Sequence, residues 1–389
     1  VGAPDAPPVI DLKTHPSPHP FVRRGLVKAA PRLPNGTVVT MRSPEGVILG
    51  DGFWNTFSDI AIRRLTSGDV RFDSTALAAL LESAIALRER VPSLVACDAL
   101  RLIHSEGDGL SGLIVDRYSD VLVFELHSSG WIHWLDELVP WLHKRVGTKH
   151  HRVVLSSRTA RLEGVPAIDT SSEACPTSLR IEEHGVRYAV NLNTGHKTGF
   201  FCDQRDNRRE LARWVDGADV LDLCTYTGGF AVAASVLGKP KSVTAVDLDE
   251  VALEVAKTNA NLNQVRVRFV HADAFDWLRQ SANAGKRFDV VVLDPPKFIG
   301  TRREIETGRG KYHDLNRLAL SVVREGGLLL TCSCSGLLTR EEHRGLVTTA
   351  ARKEGKTARI LASAGAAPDH PILLECPETE YLKCLWMIV

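Results

Sequence analysis

The chain's 389 residues are too many for one ordinary domain, and 44% apolar with 24% charged side chains is the make-up of a water-soluble globular protein. A formal net charge of +1 neither requires nor rules out nucleic acid, and no apolar run approaches the roughly 20 residues that cross a bilayer. Eight cysteines without a Cys-x-x-Cys pair argue against a disulfide framework and a structural zinc site, so a metal-free, cytoplasmic protein is expected.

Residues 1–20 are rich in Pro and His and read as a flexible arm. From Lys13 to Arg42 the basic residues Lys13, Arg23, Arg24, Lys28, Arg32 and Arg42 meet no acid. That makes a local basic patch, in which Arg23, Arg24 and Lys28 are candidate nucleic-acid contacts. Across residues 21–72, short apolar segments such as 37–41 and 46–49 alternate with Gly, Pro and Asn turns and predict a small β-rich unit. Residues 73–90 predict a helix capped by Ser74, with Leu77, Leu80, Leu81, Ala84 and Leu87 at helical spacing. The stretch from about 97 to 190 predicts strands at 101–104, 113–115, 121–126 and 153–156, a helix at 131–145, and a hairpin at 181–191 turning on His184-Gly185. From 191 onward strands alternate with helices. Strands are expected at 219–224, 242–247, 266–271, 290–294 and 327–332, helices at 250–263 and 313–323, and a closing strand at 382–389. Such alternation predicts a parallel sheet covered on both faces.

The apolar run Phe288-Asp289-Val290-Val291-Val292-Leu293 stops at Asp294-Pro295-Pro296-Lys297-Phe298. Neither proline donates a backbone N–H, and Pro295 biases Asp294 toward an extended conformation. Asp294 then stands at the carboxyl end of a central parallel strand, where open α/β sheets bind ligands. The next apolar run ends at Thr331-Cys332-Ser333-Cys334-Ser335-Gly336. A stiff acidic corner and a thiol on neighbouring strand ends suit an enzyme that modifies a flat nitrogenous ring. Upstream, a strand leads into the glycine turn Thr225-Tyr226-Thr227-Gly228-Gly229. This is not G-x-G-x-x-G, which disfavours a dinucleotide. Asp247 ends the next strand, where a carboxylate accepts from ribose hydroxyls, and Asp273 with Ala274 ends the third, near an adenine amine. In this order they describe a pocket for S-adenosylmethionine. The competing reading is that each acid merely caps the following helix.

These motifs, together with Gly195-His196-Lys197-Thr198-Gly199-Phe200-Phe201-Cys202-Asp203-Gln204-Arg205, Gly107-Asp108-Gly109-Leu110-Ser111-Gly112 and Gly52-Phe53-Trp54-Asn55, resemble the bacterial 23S ribosomal RNA cytosine-C5 methyltransferases of the RlmI type. The likeness covers nearly the whole chain after the arm. It implies an RNA-binding PUA-like β-barrel at 21–72, a central mixed α/β domain at 73–190, and an α/β class I methyltransferase domain with a Rossmann-like sheet at 191–389. It implies S-adenosylmethionine as cofactor, S-adenosylhomocysteine as its product, and a cytidine of large-subunit ribosomal RNA as acceptor; a homodimer stays open. Phe200, Asp203 and Arg205 become pocket residues, with an ion pair as the plainer role for the last two. Cys334 aligns with the family nucleophile, and Cys332 is an extra thiol two residues earlier. In a strand both would face one way. Cys334 would add to C6 of the ring, Asp294 would hold N3, and Lys297 would meet phosphate or damp developing charge. Residues 301–312 read as a basic loop in which Arg302, Arg303, Arg309 and Lys311 meet phosphates and Tyr312 stacks on a base. Two rivals remain: methylation of another RNA atom such as guanine N7, and a non-catalytic RNA-binding or assembly protein that holds the cofactor.

Overall fold

The computed structural model describes residues 6–30, 32–95, 97–192 and 199–389. Residues 195–198 of the Gly195-to-Arg205 motif and the first five residues of the expected arm lie outside these. The described residues form two compact units, one gathering residues 6–179 with Pro368–Thr379, the other residues 180–192, Gly199–Ala367 and Glu380–Val389. No described helix is long and apolar enough to cross a membrane.

In the first unit, β1 (Val9–Asp11), β2 (Phe21–Arg23), β3 (Val38–Arg42), β4 (Ile48–Trp54) and β5 (Ile60–Arg64) form a sheet in the order β1-β3-β4-β5-β2. Part of the expected arm is therefore ordered. Ile10 and Leu12 alternate inward and are buried, and β1 pairs in parallel with β3. Helix α1 (Ser74–Glu89) is capped by Asp73, not Ser74: the Asp73 carboxylate accepts from the Ala76 N–H. A second sheet follows, made of β6 (Ala99–His104), β7 (Leu113–Tyr118), β8 (Val121–Leu126), β9 (His150–Leu155) and β10 (Ile168–Ser171) in the order β10-β9-β8-β7-β6, with α2 (Leu135–Val146) and α3 (Ser157–Glu163). The helix expected from 131 starts later, because Ser129–Trp134 is a tighter 3-10 turn. There the Phe53 ring lies where a Cβ on Gly130 would sit, 2.2 Å from its Cγ. Phe53, Phe72 and Trp131 meet edge to face, so residues expected in two separate domains share one core.

The second unit begins with the expected hairpin, β11 (Ser178–Glu183) and β12 (Val186–Asn191), whose turn holds His184 and Gly185 at φ of 51° and 82°. The hairpin was expected with the central domain. It packs here because Arg208 of α4 (Arg205–Leu211) donates to Glu183 at 2.8 and 2.6 Å, with both side chains buried. Deleting either member of such a buried pair typically costs ~3–5 kcal/mol.

There follow β13 (Asp219–Leu223), α5 (Gly229–Leu237), β14 (Ser242–Asp247), α6 (Glu250–Leu262), β15 (Arg268–His271), α7 (Ala274–Asn283), β16 (Phe288–Leu293), α8 (Ile305–Val322), β17 (Val323–Ser333), α9 (Arg340–Lys353), β18 (Arg359–Ala364) and β19 (Lys383–Ile388). The sheet order is β15-β14-β13-β16-β17-β19-β18. The strands are parallel as far as β17, and β19 runs antiparallel to both its neighbours. Strand order reverses at β13, between β14 and β16. That reversal opens a crevice at the carboxyl ends of these strands, the usual ligand position in such sheets.

Candidate active site

β13 ends in a turn with an unusual backbone. Cys224, Tyr226 and Gly228 all have positive φ, at 58°, 51° and 81°. Two non-glycine residues in the left-handed region within three positions mark a turn held by its surroundings, as functional sites often are. The holding groups are acids. Asp247 accepts from the Tyr226 N–H at 2.7 Å and the Asp249 N–H at 2.8 Å. Asp222, which is 1% exposed, accepts from the Thr225 hydroxyl and the Ala231 N–H. At Gly228 an added Cβ would lie 3.1 Å from that of Ala256, on top of the strained φ.

Asp222 is a site residue that the motif reading passed over, although an acid inside Val220-Leu221-Asp222-Leu223 was a visible signal. Burial, with the neighbouring Asp294 and Asp247, pushes its carboxyl up to about 7. Its Oδ1 is buried and has no hydrogen-bond partner among the described residues. Burial and then Asp247, Asp294, Asp222 and Asp273 all raise the Cys224 thiol. The four carboxylates thus converge on one turn, at the carboxyl ends of β13 to β16. An acceptor-rich rim of this kind suits a ligand that is cationic and rich in donors. S-Adenosylmethionine, with its sulfonium, amine and ribose hydroxyls, fits that chemistry.

The remaining expected cofactor residues divide. Asp273 does cap α7, with Oδ1 accepting from the Phe275 and Asp276 N–H groups, as the competing reading had it. Thr225 and Thr227 are buried within this turn, Ala274 is buried at the start of α7, and Gly229 opens α5. Phe200 is buried beside Tyr188, with the Arg208 guanidinium over its ring. Asp203 accepts from the Tyr381 hydroxyl at 2.5 Å. Arg205 is fully buried and its Nε lies 3.5 Å from a Glu183 carboxylate oxygen, the ion pair that was its plainer expected role.

The prolines carry the chain out of β16 at Asp294, which is half-buried and accepts from the Gln204 side-chain amide at 3.0 Å. Gln204 in turn accepts from Asn207 at 2.7 Å. Gln204 lies in the motif that ends at Arg205, but nothing in that motif singled out this pair. On the adjacent β17 the two thiols differ. Cys332 is 0% exposed, sits opposite Cys384 of β19, and is raised well above the usual thiol range by burial and by Cys384. Cys334 lies just past the strand end and is half-buried. Lys383 of β19 is 1% exposed and donates to the carbonyls of Ser335 at 2.6 Å and Tyr381 at 2.8 Å.

The RNA-contact candidates are corrected in part. Residues 301–312 are not a loop. Thr301 and Glu304 form a capping box, Arg302–Glu304 is a 3-10 turn, and α8 begins at Ile305. Tyr312 is buried, with its hydroxyl on Ser335 Oγ at 2.9 Å, and cannot stack on a base. Arg309 pairs with Glu306 and Glu342. Arg302, Arg303, Lys311 and Lys297 remain exposed. In the first unit Arg24 is spent on the Ser58 and Asn55 carbonyls and the face of Trp54, and Arg23 pairs with Asp59, while Lys28 is exposed.

The profile of the S-adenosylmethionine-dependent methyltransferases matches residues 148–352. The ribosomal RNA large subunit methyltransferase I of Alteromonas mediterranea is 36% identical over 375 residues, 94% of each chain. That of Escherichia coli is 34% identical over 380 residues, again 94% of each. Among solved structures, a Streptococcus mutans chain assigned to the same broad enzyme class aligns with a TM-score of 0.81 at 22% identity, covering 98% of this chain and 100% of that one, a likeness of fold. The profile spans more than half of this chain and the relatives span nearly all of it. The chain therefore belongs to the S-adenosylmethionine-dependent methyltransferase family and, within it, to the family of the ribosomal RNA large subunit methyltransferases I.

Proposed function

We propose that the protein methylates C5 of a cytidine in large-subunit ribosomal RNA through a covalent adduct on Cys334. The ribosomal RNA substrate is supported by the names of its relatives. The observation that carries the choice of atom is the difference between the two thiols. A half-buried Cys334 stands at the end of β17, beside the strand that delivers Asp294, while Cys332 is sealed in the core. C5 of cytosine is a poor nucleophile, and a cysteine at this place could activate it by adding to the ring at C6.

S-Adenosylmethionine supplies an electrophilic methyl group. The Cys334 thiolate forms a bond to C6 and raises the electron density at C5. Asp294, oriented by Gln204, would act in its acid form, giving a proton to N3 as the thiolate adds at C6 and taking it back when the S–C6 bond breaks. After methylation a base takes the C5 proton, the S–C6 bond breaks, and Cys334 is released as the thiolate. Asp222, Asp247 and Asp273 would hold the cofactor through its donors. Lys297, Arg302, Arg303 and Lys311 would meet phosphates. The first sheet, with Lys28 on its surface, would serve as the PUA-like RNA-binding part.

The test is methylation of ribosomal RNA by the purified chain, with nucleosides resolved by mass. 5-Methylcytidine is expected, and Cys334→Ala should lower the rate by ~10³-fold or more, as loss of a nucleophile does. Cys332→Ala should stay within about tenfold of the parent, since its sulfur only fills the core. A different methylated nucleoside, or activity retained by Cys334→Ala, overturns the reading.

A further inference from the structure

We infer that one face of α8, carrying Gly308, Tyr312 and Asn316, is a clamp that sets the gap between Asp294 and Cys334, with Tyr312 as its positioning residue. The inference rests on the proposed reaction, in which those two groups act on one ring.

The sheet alone does not fix that gap. The paired residues of β16 and β17 run as far as Leu293 opposite Thr331. Asp294 and Cys334 both stand beyond that point, on segments that have left the shared ladder. What holds the two segments together is α8. Residues 308, 312 and 316 are spaced to share one side of a helix, and all three are buried.

Gly308 lies against the corner that follows Asp294. A Cβ there would stand 2.3 Å from Cγ1 of Ile299 and 2.8 Å from the Phe298 carbonyl oxygen, so glycine lets the corner press onto the helix. Tyr312 touches both segments. Its ring meets that of Phe298 edge to face with centroids 4.9 Å apart, and its hydroxyl hydrogen-bonds Ser335 Oγ, next to Cys334, at 2.9 Å. The same Ser335 oxygen accepts from the Ile299 N–H at 3.2 Å, which joins the corner to the turn. One helical turn further on, Asn316 Oδ1 accepts from the hydroxyl of Thr331, where the ladder ends, at 2.7 Å. The Asn316 amide donates to the Tyr312 carbonyl at 2.8 Å, which braces the two. Packing of α8 on the sheet needs only the Tyr312 ring. Its hydroxyl serves the residue beside the nucleophile. The stripe was hidden in the sequence while residues 301–312 read as a loop.

The experiment measures kcat, the KM for ribosomal RNA and the cofactor affinity of the full chain, well below each variant's melting temperature. Tyr312→Phe keeps the ring and deletes one hydrogen bond. It should lower kcat roughly tenfold or more and leave KM and cofactor affinity within a few-fold, because misplacing a reacting group by about 1 Å can cost 10²-fold. Ser335→Ala should match it, and Gly308→Ala, which forces the corner off the helix, should act in the same sense. A folded Tyr312→Phe with the parent kcat overturns the inference, the result if α8 only packs on the sheet. If Tyr312→Phe does not fold, Ser335→Ala is read the same way. Equal losses of kcat and cofactor affinity also overturn it, since the face would then serve the cofactor. Cys334→Ala in the same assay separates the two claims. If it still methylates, the proposed reaction falls and the clamp with it; an inactive Cys334→Ala beside a parent-like Tyr312→Phe sinks the clamp alone.

Discussion

Gln204 helps to orient Asp294, donating to its carboxylate at 3.0 Å, and is itself braced by Asn207. Misplacing a reacting group by about 1 Å can cost 10²-fold in rate. Gln204→Ala is therefore expected to lower kcat by roughly 10–100-fold while leaving cofactor affinity by calorimetry within a few-fold. A joint collapse of affinity and rate would instead place Gln204 in the cofactor's own binding site. Asp294 and both thiols were legible because each ends an apolar run, and a run's end is a strong local signal. The resemblance pointed to Cys334 over Cys332, but the strand pattern alone did not separate them. Strand alternation puts positions 332 and 334 on one face, and only the end of β17 at Ser333 and the facing Cys384 separate them. Gln204 and Lys383 were hidden for a related reason: their partners lie 90 and 48 residues away along the chain.

Among the elements, the central strands were read to within a few residues, since Val- and Leu-rich runs bounded by turn residues are hard to mistake. The segment from 301 was misread. Its charges suggested a loop, yet Thr301 and Glu304 carry the Thr-x-x-Glu signature of a helix start, and α8 runs 18 residues from Ile305. Helical periodicity buries Tyr312 and turns Arg309 toward Glu306 and Glu342, leaving Arg302 and Arg303 exposed. This divides the arginines by task. Arg302→Glu with Arg303→Glu should weaken binding to a ribosomal RNA fragment and reduce its salt dependence, each lost phosphate contact lowering the log–log slope by about 0.9 or less. Arg309→Glu should lower the melting temperature and leave that slope unchanged. A slope that responds equally to both would show that the ion pairs do not restrain Arg309. Strand β18 went unread because its residues are mostly exposed and show no apolar alternation.

At the scale of the whole chain, length pointed to two or three domains, and the described residues form two compact units with bounds other than those expected. Residues 368–379 belong with the first unit because Asp369 accepts from the Arg101 N–H and its carbonyl accepts from Arg88. Contacts between residues more than 260 positions apart leave no trace in local pattern. The class of enzyme was nonetheless legible, because the acids, the glycine turn and the thiol occur in strand order, and strand order is what a doubly wound sheet converts into a site. The proposed reaction ties these levels together through a covalent bond between Cys334 and a cytosine. The most direct measurement offers the protein and S-adenosylmethionine an RNA fragment carrying 5-fluorocytidine, whose C5 fluorine cannot leave as a proton does. A denaturation-resistant RNA–protein adduct that maps by mass to the Cys334 peptide is the expected result. Absence of any adduct under conditions that methylate the unmodified RNA, or an adduct on another residue, would contradict it.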